Sequence, residues 1–105
     1  MIVLYSFYKT RIEISQKDIY APFYIWYPTF SFDEDEVPIF KTVLFKDVDA
    51  YEIDQTTQYT EVKEIPFIKL SIKDKYALCI RLDAYNDEEI NRIKKIIEKN
   101  MQESV

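Results

Sequence analysis

Glu61-Val62-Lys63 is the one stretch of this chain whose residue types and spacing could perform hydrolysis. Alternate residues of an extended backbone share a face, so Glu61 and Lys63 would stand side by side. With an upstream aspartate (Asp47, Asp49 or Asp54), two carboxylates could hold a divalent cation while the lysine supports an attacking water. Asp54, Glu61 and Lys63 are therefore the candidate catalytic set. The bland reading weighs against it: Glu-x-Lys recurs by chance in any chain rich in both residues, and a solvated strand produces it freely.

The arrangement resembles the D…ExK constellation of restriction-like nucleases, which implies a metal-dependent nuclease as an alternative function. The resemblance is confined to these few residues, and that fold normally needs more chain. Asp47-x-Asp49 has the start of a calcium loop but not the rest of it. The required glycine is missing, and the twelfth position is Gln58 where a bidentate glutamate belongs.

Other chemistry is removed by absence. The 105 residues contain no glycine and no histidine. Phosphate-cradling loops and dinucleotide fingerprints need glycine for positive φ or close backbone approach. The commonest general base and transition-metal ligand is histidine. Cys79 is the single cysteine, so it forms no internal disulfide and, without histidine, no zinc site. Between Leu78 and Ile80 it reads as a small hydrophobe on a strand. No cofactor and no metal are expected.

The net charge of −5 argues against a duplex-DNA binder and against anionic membrane surfaces. Residues 1–32 sum to +1, residues 33–64 to −7 and residues 65–105 to +1, so the acidity sits in the middle third. No apolar run approaches the roughly 18 residues of a membrane span. The N-terminus reads as a strand without a basic leader, which points to an intracellular, cytoplasmic protein.

Two features could bind a partner. Residues 20–32 hold seven aromatics: Tyr20, Phe23, Tyr24, Trp26, Tyr27, Phe30 and Phe32. Such residues are enriched at interface hot spots, yet a loop that packs its own rings over a sheet explains them equally well. Asp33, Glu34, Asp35 and Glu36 follow at once and would set orientation and on-rate. Together with Asp47, Asp49, Glu52 and Asp54 they could imitate nucleic-acid phosphates, although −5 is modest for a mimic. Base stacking on the rings lacks the basic groove it needs.

These residues need elements to hold them. Residues 2–8 are apolar on both alternating faces, as a central strand would be. Ile12 and Ile14 alternate with polar neighbours. Residues 2–14 are one long strand or a hairpin about Lys9-Thr10, and the missing glycine counts against the hairpin. Pro22 and Pro28 exclude a helix through the aromatic stretch and suggest an edge strand. Residues 37–46 read as a strand and 47–60 as a polar loop. Residues 61–72 and 76–82 form a hairpin about Lys73-Asp74-Lys75.

The C-terminal helix, about residues 86–102, has the clearest signature. Asn86 and Glu89 have capping-box spacing, and Tyr85 and Ile90 sit where a hydrophobic staple forms. Ile90, Ile93, Ile97 and Met101 line one face, with Ile96 beside them. The expected fold is a single α+β domain over residues 1–105: an antiparallel or mixed sheet of about four or five strands with one C-terminal helix packed on one face.

The expected function is a small non-enzymatic interaction protein. It would bind a protein partner or itself, as a homodimer, through the aromatic surface flanked by the acidic run. The short chain, rich in Ile, Lys, Glu and Tyr, has the style of an accessory or inhibitor protein of a virus or mobile element. A structural subunit of a virion or larger complex is a further alternative.

Overall fold

The computed structural model describes residues 5–33, 35–58, 64–73 and 76–103. Among these, seven strands form one antiparallel sheet: β1 (Tyr5–Phe7), β2 (Ile12–Ile14), β3 (Asp18–Ile25), β4 (Ile39–Leu44), β5 (Val48–Thr57), β6 (Glu64–Ile72) and β7 (Ala77–Arg81). One helix, α1 (Asp87–Glu103), completes the α+β fold. The sheet therefore has more strands than the four or five expected. The difference comes from a short N-terminal hairpin and from β5, where a loop was expected.

β5 covers most of the supposed loop at 47–60. Its polarity misleads because it lies at a sheet margin with only one face half-buried. Tyr51 and Ile53 pack against the core, while Glu52 and Asp54 face out. Burying every second residue is enough to fix a strand.

The β1–β2 hairpin forms without glycine. Tyr5 pairs with Ile14 and Phe7 with Ile12 across a four-residue turn. Arg11 takes the left-handed conformation at φ 60° that a glycine would otherwise supply. The turn is pinned from outside: the Tyr85 hydroxyl accepts the Thr10 N–H (3.0 Å) and donates to the Phe7 carbonyl (3.2 Å).

β3 is central, not the edge strand expected from Pro22. β4 pairs along one side of it, from Asp18–Leu44 to Phe23–Ile39. The other side is shared, by β2 opposite Ile19 and Tyr20 and by β7 opposite Phe23 to Ile25. Trp26 N–H donates to Ala77 O at 3.0 Å, so even-numbered β3 residues point their backbone groups to the β2 and β7 side. The missing N–H of Pro22 thus falls where β2 has ended and the β7 ladder stops at Phe23–Ile80.

Pro66 does the same from the other side of β7. Its carbonyl accepts the Leu82 N–H (2.9 Å), but it has no N–H to return. The Leu82 carbonyl takes the Tyr85 N–H instead (3.0 Å), and the chain turns toward α1. There Glu89 N–H donates to Asn86 Oδ1 (2.8 Å) and Asn86 N–H to Glu89 Oε1 (3.2 Å), closing the capping box. The Lys9 ammonium, 2.7 Å from Glu89, is the main reason the Glu89 carboxyl titrates below its ordinary value.

Ile93 and Ile97 of α1 enter the main core with Ile19, Ala21, Phe23, Ile68, Leu70 and Ile80. A 3-10 turn, Phe45–Asp47, carries the chain from β4 to β5. Phe45 N–H donates to Lys17 O (2.8 Å), and Asp47 O accepts the Lys73 N–H (3.0 Å). β4 and β5 are separate margins of the pairing pattern joined by three residues, so the sheet curls over the helix-side core.

Candidate functional site

The face of the sheet opposite α1 is covered by the aromatic stretch itself. Alternation in β3 sends Ile19, Ala21 and Phe23 to the helix side and Tyr20, Pro22 and Tyr24 to the other. After Trp26 the chain folds back over that second face as a strap. Phe32 N–H donates to Thr57 O (3.3 Å), and Thr56 Oγ1 donates to Phe30 O (2.8 Å), so the strap is fastened to β5. Phe32 is fully buried with Ile65, Phe67 and Cys79. Its ring meets Phe30, Tyr24 and Phe67 edge-on at 4.7, 5.1 and 6.2 Å between centroids. Edge-to-face pairs of this kind add to plain area burial.

The candidate partner-binding residues therefore divide. Phe23 is fully buried in the helix-side core and cannot meet a partner, because the pleat turns it inward. Tyr24, Trp26 and Phe30 are half-buried in the strap cluster. Lys69 Nζ lies 3.6 Å from the Trp26 ring centroid and 3.3 Å from Glu52 Oε1, so Trp26 is roofed by an ion pair. Tyr20 stacks on Phe40 at 6.1 Å, and Tyr27 is 56% exposed.

The acidic run forms a turn. Asp33 Oδ1 accepts the Asp35 N–H (3.0 Å) and Asp33 O accepts the Glu36 N–H (3.1 Å). Glu36 is partly desolvated, which raises its carboxyl pKa above the ordinary value. Glu34 lies outside the described residues.

Of the candidate catalytic set, Glu61 and Lys63 also lie outside the described residues. Asp54 is exposed on β5, where its Oδ1 accepts the Gln55 N–H at 2.8 Å. No group of three metal-ligating side chains occurs among the described residues. Cys79 is fully buried under the strap, and desolvation pushes its thiol up to about 12, so it is a packing group and a poor nucleophile. Among the described residues, no helix is long and apolar enough to cross a membrane.

Outside the aromatic stretch, exposed apolar residues cluster on and just before β4. Val37, Ile39 and Phe40 are 81, 52 and 48% exposed, and Leu44 is exposed further along β4. β4 pairs only with β3 among the described residues, so its second side is a free sheet edge. The signal was present in the sequence: Val37-Pro38-Ile39-Phe40 is an apolar run with no polar alternation, directly after four acids.

Beside Phe40 lies a depression of about 320 Å³ lined by Thr10, Pro22, Tyr24, Pro38, Arg81 and Asp83. The Arg81 guanidinium is already committed, holding Asp83 by two hydrogen bonds (2.8 and 2.9 Å) and Gln58 by a third (3.2 Å). Burial works against its charge, but Asp83 outweighs this and lifts its pKa further. The depression therefore offers apolar walls and a self-neutralised ion pair, with no activated nucleophile.

Comparison with known proteins finds no family model that matches the chain, and no match among curated proteins or solved structures.

Proposed function

We propose that this chain is a non-enzymatic interaction protein that docks through the β4 margin. The observation carrying this reading is the exposure of Val37, Ile39 and Phe40 at a sheet edge with unpaired backbone groups. Folded proteins blunt such edges or use them, and peptides commonly bind by adding a strand there. Tyr20 and Phe40 extend the apolar surface onto the strap face, and Tyr27 stands exposed nearby in the chain. The acidic turn ahead of β4 tunes encounter rate and orientation by long-range charge.

A photo-crosslinking residue at Thr42, on β4, tests this in the cell that makes the protein. Position 42 should yield a discrete cross-linked protein species, and a control at Lys95 on the exposed side of α1 should not. Equal yields from both positions would overturn the β4 assignment. Cleavage of nucleic acid by the pure protein with Mn²⁺, lost in Glu61→Ala, would overturn the non-enzymatic reading.

A further inference from the structure

Among the described residues the sheet has three open margins, the three-residue β1, β4 and β5, and the two longer ones carry opposite charge. Residues 37–46, around β4, hold two lysines and no acid, whereas β5 holds three acids and no base. The hydrogen bonds also fix which backbone groups each margin offers. Phe45 N–H donates to Lys17 O, so odd-numbered β4 residues bond to β3, and Phe40, Thr42 and Leu44 point outward. Ile72 N–H donates to Tyr76 O, so even-numbered β6 residues bond to β7 and odd ones to β5. Tyr51, Ile53 and Gln55 therefore point outward from β5, as does Thr57, whose carbonyl the strap already takes.

We propose that the β4 margin of one copy pairs, antiparallel, with the β5 margin of a second copy of this chain. The inference rests on the β4 reading above and names the partner. One register sets Phe40 opposite Gln55, Thr42 opposite Ile53 and Leu44 opposite Tyr51. It engages all three outward residues of β4 and places Lys41 directly opposite Asp54, an arrangement that stabilises a cross-strand pair.

The alternatives are poorer. Pairing β4 with its own copy gives Lys41 no acid. Pairing β5 with its own copy, with Ile53 opposite Tyr51, Ile53 or Gln55, sets Glu52 or Asp54 against another acid, and the register opposite Thr57 meets the carbonyl the strap already takes. Among the described residues, Lys41 Nζ meets the Tyr76 hydroxyl at 3.1 Å and Asp54 holds the Gln55 N–H, both in exposed contacts. Both are exchangeable at little cost.

A β4-to-β5 contact is heterologous. Each added copy leaves one β4 and one β5 free, so assembly continues as a ring or an open chain of subunits.

Sedimentation velocity on the full chain, from micromolar to millimolar, tests this. The mean mass should grow with concentration past the dimer, less so in molar salt. Lys41→Glu and Asp54→Lys should each weaken association about tenfold, the effect of opposing like charges, and the double variant should recover it. Thr42→Pro and Gln55→Pro each delete one outward N–H without touching a ladder bond. Each should be monomeric, and their equimolar mixture should give a two-chain complex and nothing larger.

A wild-type protein that stays monomeric throughout would overturn the inference, as would a dimer that survives Gln55→Pro. If that monomer still cross-links another protein from position 42, the β4 reading stands and only the partner is wrong.

Discussion

The strap and β4 are both rich in large apolar residues, lie close in sequence, and use those residues in opposite ways. The strap turns Phe30 and Phe32 inward against Phe67 and Tyr24 and ties its backbone to β5. β4 leaves Ile39 and Phe40 half in water and, among the described residues, one backbone edge unpaired. Aromatic density therefore does not by itself mark exposed apolar surface in this protein. Ile39 and Phe40 are exposed where the pleat and the strap run out of face to cover. Among the described residues no helix covers the second face of the sheet, and the strap packs there.

The largest test of that contrast is Phe32→Ala. It removes a fully buried ring from a four-residue cluster and should cost about 3–5 kcal/mol, read by urea or thermal melts. Loss of under 1 kcal/mol would mean the strap is not core.

A smaller effect comes from Cys79 beneath the same strap. Its thiol rises from 9.0 to about 12 on folding, so the neutral form is the one the fold protects. The unfolded chain ionises first as pH rises, so stability is intact below pH 9 and falls above it. Between pH 8 and pH 10 the wild type should lose about 1 kcal/mol more than Cys79→Ala. Identical pH profiles would show water reaching Cys79.

On the helix face, Asn86→Ala should cost about 1 kcal/mol by opening the capping box, whose two bonds Asn86 shares with Glu89. Phe40→Glu, at the β4 margin, should cost about 1 kcal/mol, the worth of half a buried phenylalanine, since its ring stacks on Tyr20.

The helix was legible in sequence because its signals are local: a cap, three acids in the first turn and an apolar stripe. The β6–β7 hairpin was legible from alternation, with Ile68 and Leu70 facing Ile80 and Leu78. β5 was not, because an edge strand with one half-buried face carries loop-like polarity. The first hairpin was not, because Arg11 and the distant Tyr85 do together what a turn glycine does alone. The central place of β3 depends on Pro22 falling in a gap between two ladders, which only the tertiary pairing creates. The candidate surface was half legible. The aromatic stretch stood out by composition, while the exposure of Ile39 and Phe40 depends on which margin of the sheet is left open.

The central claim is that β4 docks and the strap supports. It is tested most directly by comparing Phe40→Glu with Trp26→Ala, each carrying the photo-crosslinker at Thr42. Phe40→Glu should stay folded, melting only slightly below the wild type, and lose its cross-linked partner, while Trp26→Ala should be less stable and keep it. A folded Trp26→Ala that binds nothing, beside a Phe40→Glu that binds normally, would contradict it.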